Sequence, residues 1–132
     1  MTIKDFSVGQ TAYVLSERKI NGKNLVVLAE VIKVGRKYVT VKAEGWEEIR
    51  FFESPIEADC LYEDKDYGVK RLLFPTTEAV DEHNELIDLR NWVQQATDWM
   101  KVKGYTLAQL RAVKKILEEE SYTIDKTEEG NP

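Results

Sequence analysis

His83 and Cys60 are the only histidine and the only cysteine in the chain, and they bound the chemistry open to it. One of each cannot furnish a Ser/His/Asp or Cys/His constellation with a recognisable spacing. His83 stands in the polar run Glu82-His83-Asn84-Glu85, where a solvated side chain is expected rather than a general base. Cys60 lies between Asp59 and Leu61. No basic sequence neighbour lowers its pKa, so a buried or idle thiol is expected. Zinc asks for about four ligands, mostly nitrogen or sulfur, and only these two residues offer them. The acidic stretch Glu57, Asp59, Glu63, Asp64 and Asp66 lacks the spacing and central glycine of a calcium loop. It reads as a solvated loop. No glycine-rich phosphate loop or dinucleotide fingerprint is present. The carboxylate pairs Asp81–Glu85 and Glu85–Asp88 fall on one helix face and read as a solvated surface, not a glycosidase pair. The expectation is a non-enzymatic protein with no catalytic residue, no cofactor and no metal.

Two groups of residues could instead bind a macromolecule. Between Glu78 and Asp98 there are six acids and one basic residue, Arg90. Asp81, Glu82, Glu85 and Asp88 run along the outer side of a helix here, and Trp92 and Trp99 follow seven residues apart. Such a surface suits a basic groove on a protein partner, including a groove meant for DNA. The alternative is basic and loop-borne. Arg18, Lys19 and Lys23 occupy one hairpin loop, and Arg36 and Lys37 another. With Tyr13, Tyr38 and Trp46 nearby, they could follow a nucleic-acid backbone and stack its bases.

The elements that would position these groups divide the chain in two. Residues 1–75 read as strands. Thr11–Ser16 is followed by Asn21-Gly22, a hairpin signal. The second strand, Leu25 to Val34, breaks its alternation between Glu30 and Lys33, which calls for a bulge. Gly35-Arg36-Lys37 turns the chain into Tyr38–Ala43, with Val39, Val41 and Ala43 on one face. Trp46–Phe52 makes a fourth strand. Residues 56–69 carry no clear pattern, and Val69–Phe74 supplies a closing strand before Pro75.

Helical patterning begins after Pro75, with Thr76 or Thr77 as cap. The seam Leu86, Leu89, Val93, Ala96 and Met100 predicts one helix to about Lys101, roughly 37 Å long. Thr106-Leu107-Ala108-Gln109 fits a capping box for a second helix. An antiparallel hairpin, or a homodimer through the long helix, would cover Trp92 and Trp99. Three parts are expected: a barrel over 1–75, a two-helix segment over 76–120, and a flexible acidic tail over 121–132. The fold class is α+β, a small β-barrel followed by a C-terminal helical hairpin.

The charge follows the same division. Residues 1–75 hold 12 Lys/Arg and 12 Asp/Glu, whereas 76–132 hold 7 and 12, so the whole net charge of −5 lies in the second part. No apolar run approaches the roughly 20 residues of a membrane helix, and the N-terminus has no signal-like stretch. A lone cysteine and no leader lead to the expectation of a cytoplasmic protein.

The stretches Phe6-Ser7-Val8-Gly9-Gln10-Thr11-Ala12-Tyr13-Val14 and Ala29 to Val41, ending Gly35-Arg36-Lys37-Tyr38-Val39-Thr40-Val41, resemble Src-homology-3-like barrels of the Tudor and KOW type. Together with Leu73-Phe74-Pro75-Thr76-Thr77-Glu78, they look like the barrel-plus-helix proteins of phages and mobile elements of Gram-positive bacteria. The resemblance implies a binding barrel, and its mobile-element setting implies a host protein as partner and a role as an anti-defence inhibitor or regulator. It assigns no site residues, because such barrels host peptide, methyl-lysine and nucleic-acid binders alike.

Overall fold

The fold is that of a computed structural model of the chain. It describes residues 1–129, with side chains through residue 119 apart from Glu17. The expected acidic tail, 121–132, lies outside those described side chains. The molecule is α+β: a closed antiparallel barrel of six strands followed by C-terminal helices.

After a 3-10 turn at Ile3–Asp5, the strands run β1 (Thr11–Ile20), β2 (Lys23–Val34), β3 (Tyr38–Lys42), β4 (Ile49–Glu53), β5 (Leu61–Glu63) and β6 (Leu72–Phe74). Each pairs with the next. β6 closes on β1 through Tyr13↔Phe74, Val14↔Leu73 and Leu15↔Leu72. The β1–β2 hairpin is longer than its apolar residues suggest, because Asn21 and Gly22 both take left-handed backbone angles (φ 53° and 77°). Two such residues form the tight turn whose twist matches the strands. The expected bulge falls between Val31 and Lys33 on the β3 side, and a second irregularity lies between Leu15 and Lys19 in β1.

Alternation sorts the strand side chains into two layers. Val14, Val31, Val39, Val41, Phe51, Leu61 and Leu73 fill the barrel interior. Leu15, Cys60 and Phe74 form a second cluster with Val80, packed by Tyr13, Tyr62 and Leu72. That cluster is where the first turns of the next helix dock on the outer wall, so the barrel has one apolar patch outside as well as a core inside.

Three helices follow: α1 (Thr77–Ala96), α2 (Trp99–Val102) and α3 (Leu107–Glu129). Thr76 Oγ1 accepts from the Ala79 backbone amide at 3.1 Å and starts α1. The capping box of α3 is formed both ways, Gln109 N to Thr106 Oγ1 at 3.1 Å and Thr106 N to Gln109 Oε1 at 2.9 Å. The single long helix expected to Lys101 is corrected: it stops at Ala96. The Thr97 hydroxyl bonds back to Val93 O at 2.7 Å, and Asp98 leaves helical geometry to accept from Met100 N at 3.3 Å. Local side-chain bonds to the backbone here override an unbroken apolar seam. Trp92 and Trp99 therefore stand on different helices.

The chain forms two compact units, Met1–Ile87 and Asp88–Pro132. The boundary falls inside α1, whose buried residues, Val80 and His83, belong to the barrel unit. Among the described residues no helix is long and apolar enough to cross a membrane.

Candidate functional site

The residues picked out by sequence occupy three separate places, and the structure adds a fourth cluster. In the barrel unit, Asp81, Glu82 and Glu85 are exposed on α1. In the second unit, Asp88 is exposed, as are Trp92 and Trp99, at 66% and 69%. Their apolar neighbours are exposed too: Leu89, Val93 and Met100, and on α3 Leu107, Leu110, Val113, Ile116 and Leu117. Within this unit, the described side chains of α3 leave Leu89, Val93 and Met100 exposed. The unit thus presents large apolar side chains from each of its helices, well beyond the scattered singles normal for a monomer surface.

The basic candidates do not come together. Arg18, Lys19 and Lys23 sit at the β1–β2 tip, where Lys19 pairs with Asn24. Arg36 and Lys37 sit in the turn after Val34. Lys23 opens and Val34 ends the 12-residue strand β2, so the two groups lie at opposite ends of one long strand. Arg36 and Lys37 line a hollow with Tyr38, Phe52, Ile3 and Glu53. Glu53 Oε1 also accepts from Ile3 N at 3.0 Å.

The stretch 56–69 is not a solvated acidic loop, as its composition suggested. It holds β5, and its acids include Glu63, Asp64 and Asp59, each with a partner. Glu63 is buried against Arg71, with Arg71 Nε donating to Oε1 at 2.9 Å and Nη2 to Oε2 at 2.8 Å. Burial favours the neutral acid, but the Arg71 hydrogen bonds and charge outweigh it and hold the Glu63 carboxyl below its ordinary value. The Arg71 guanidinium also covers the Trp46 ring at 4.5 Å. Asp64 pairs with Arg50 at 2.6 Å, and Arg50 stacks 4.3 Å over Tyr38. Sequence could have hinted at none of these pairings beyond the supply of charge, because each joins residues brought close only by strand register.

The partner of Asp59 is His83, and the pair overturns the reading of His83 as solvated. His83 is buried at 6% exposure. Its Nδ1 donates to Asp59 Oδ2 at 2.7 Å, and its ring meets Phe74 at 5.2 Å between centroids. Cys60 is fully buried beside them. Burial first, and then the Asp59 carboxylate, push the Cys60 thiol up to about 12. The Ser54 hydroxyl sets the approach, accepting from Ile56 N at 3.1 Å and Glu57 N at 2.8 Å in a compact turn. The Asp59, Cys60 and His83 donor atoms lie within 4.8 Å of one another. A buried thiol of this kind is a poor nucleophile, and Asp59 lies beside both partners, whereas in a hydrolase triad the histidine stands in the middle.

Comparison with known proteins gives one family. The chain matches the model of the phage ProQ C-terminal-like domain over residues 1–121. No curated protein and no solved structure matches it. The match takes in the whole barrel, α1, α2 and most of the described α3, so the chain belongs to the phage ProQ C-terminal-like domain family.

Proposed function

We propose that this phage-type protein is a non-enzymatic binding protein that engages a host protein through its helical half. One observation carries the reading: in the unit from Asp88 onward, Leu89, Trp92, Val93, Trp99 and Met100 are all exposed, together with the apolar stripe of α3. Tryptophan and methionine are favoured interface anchors. The acids of α1, Asp81, Glu82, Glu85 and Asp88, suit a partner with a basic rim and raise the rate of encounter. An inhibitor or regulator of a host protein is the role this surface fits. We read the barrel as Src-homology-3-like on its Phe6–Val14 and Ala29–Val41 stretches, serving as scaffold. Arg18, Lys19 and Lys23 stand in the paired strands β1 and β2 rather than in a loop, at the far end of β2 from Arg36 and Lys37, and that separation weighs against a single nucleic-acid track.

The test is affinity capture from host lysate with and without nuclease. Capture is expected to survive nuclease and the Arg36→Ala/Lys37→Ala variant. It is expected to be lost in Trp92→Ala/Trp99→Ala and in Asp81→Lys/Glu85→Lys/Asp88→Lys. Loss on nuclease treatment, or a gel shift on bare nucleic acid that disappears with Arg36→Ala/Lys37→Ala, would replace the reading with the nucleic-acid one.

A further inference from the structure

We propose that Asp59, Cys60 and His83 form a binding site for a zinc-like divalent cation that ties α1 to the barrel wall. Two segments far apart in sequence converge here. Asp59 and Cys60 come from the end of the turn before β5, and His83 comes from the second turn of α1. One oxygen, one sulfur and one ring nitrogen lie within 4.8 Å of one another. Donors bound to one tetrahedral zinc at about 2.0–2.3 Å stand roughly 3.3–3.8 Å apart. Closing the widest gap by about an ångström, while the 2.7 Å contact between His83 and Asp59 opens by about half an ångström, would complete the set.

The second observation is an orphaned atom. Asp59 Oδ1 is buried and makes no hydrogen bond, although Oδ2 of the same carboxylate is partnered by His83. A buried carboxylate oxygen without a partner is unfavourable, and a cation supplies the missing contact. The site is also reachable, because the Asp59 side chain is about a third exposed while His83 is sealed behind it.

The donor types choose the metal. A thiolate and an imidazole suit zinc or cobalt(II), not the oxygen-seeking magnesium or calcium. On binding, the thiol proton of Cys60 leaves to solvent. The His83 proton moves from Nδ1 to Nε2, and Nδ1 bonds the metal. One thiolate and one carboxylate then balance the 2+ charge, so a buried site ends neutral. Three protein ligands leave a fourth position for water or a partner's side chain.

The experiment uses the full chain without an affinity tag, stripped by chelator and titrated with Co2+. One equivalent is expected to give a thiolate-to-cobalt band in the near ultraviolet and four-coordinate bands in the visible, displaced by Zn2+. Zn2+ is expected to raise Tm over the chelator-treated protein. Cys60→Ser is expected to remove the ultraviolet band and to weaken Zn2+ binding by at least ~100-fold, since even an outer-shell loss costs 10–100-fold. Circular dichroism establishes that this variant is folded. The wild-type titration needs no variant. If it shows no band, or if the band persists in Cys60→Ser, the cluster is a metal-free hydrogen-bonded contact and the proposal fails.

Discussion

Arg71 holds Glu63 from both backbone and side chain: its amide and Nε both donate to Oε1, at 3.0 and 2.9 Å, while Nη2 donates to Oε2 at 2.8 Å. The Glu63 amide returns a bond to Arg71 O at 3.0 Å. This clamp joins β5 to the segment before β6, the two shortest strands of the barrel. Neither strand has enough ladder bonds of its own to hold the closure firmly.

Arg71→Ala would strip both guanidinium bonds from a buried carboxylate, leaving it the amide of residue 71 and Lys65 Nζ at 3.7 Å. The expected loss is about 2 kcal/mol, read from the urea midpoint at unchanged slope. The double variant Glu63→Leu/Arg71→Leu should recover much of it, because neither charge is then buried alone. Equal stability of wild type and Arg71→Ala would show that the clamp is solvated in solution.

The same pair makes stability depend on acid. The folded-state pKa of Glu63 is lowered, so the unfolded chain binds more protons in this range. Its contribution is fully present above the ordinary value of about 4.5 and is lost as pH falls below it toward the depressed folded value. Glu63→Gln, which cannot titrate, should flatten the stability curve below about pH 5 relative to wild type. Parallel curves for the two proteins would mean that Arg71 does not hold the carboxylate ionised.

How far the sequence alone reaches is visible in particular residues. The β1–β2 hairpin is legible in Asn21-Gly22, because few residues other than these tolerate two left-handed positions in a row. β3 is legible in its alternation, and α3 in the Thr106–Gln109 box. β5 is not, because Leu61 and Glu63 both point inward and Glu63 reads as solvent-facing unless Arg71, eight residues on, is known to meet it. The end of α1 is hidden for the opposite reason: the seam continues past Ala96, and only the bonds of Thr97 and Asp98 break it. His83 sits among acids and asparagine, so its burial follows from docking against Phe74 and Asp59, which no local pattern records.

The turn between β1 and β2 offers a check on backbone strain. Gly22 has φ 77° and open space where a methyl group would sit, so a side chain there meets no clash but takes a left-handed backbone. Gly22→Ala should therefore cost about 1 kcal/mol through conformation alone. Asn21→Val, a β-branched residue at φ 53°, should cost more. Thermal unfolding of both variants decides the order.

The capping box isolates the start of α3. Thr106→Ala removes the acceptor for Gln109 N and should destabilise the helix by about 1 kcal/mol, seen as lost ellipticity near the helical minimum on warming. Thr106→Ser keeps the oxygen and should behave nearly as wild type. An equal loss in both would assign the effect to the methyl group.

Trp92 and Trp99 separate folding from binding most sharply. Both rings are exposed, so truncating them removes little buried area, and each Ala variant should change unfolding free energy by no more than about 0.5 kcal/mol. Phe74→Ala, at a fully buried position, should cost about 3–5 kcal/mol. The same tryptophan changes are expected to weaken partner capture by at least ~30-fold, the threshold of an interface hot residue. They should also lower the binding of an apolar dye to the free protein, since the dye would read the uncovered helix faces directly. If instead the tryptophan variants lost several kcal/mol, their rings would be covered in solution. A concentration-dependent mass would then identify a second copy of the chain as the cover, and the apolar face would belong to assembly rather than to a host partner.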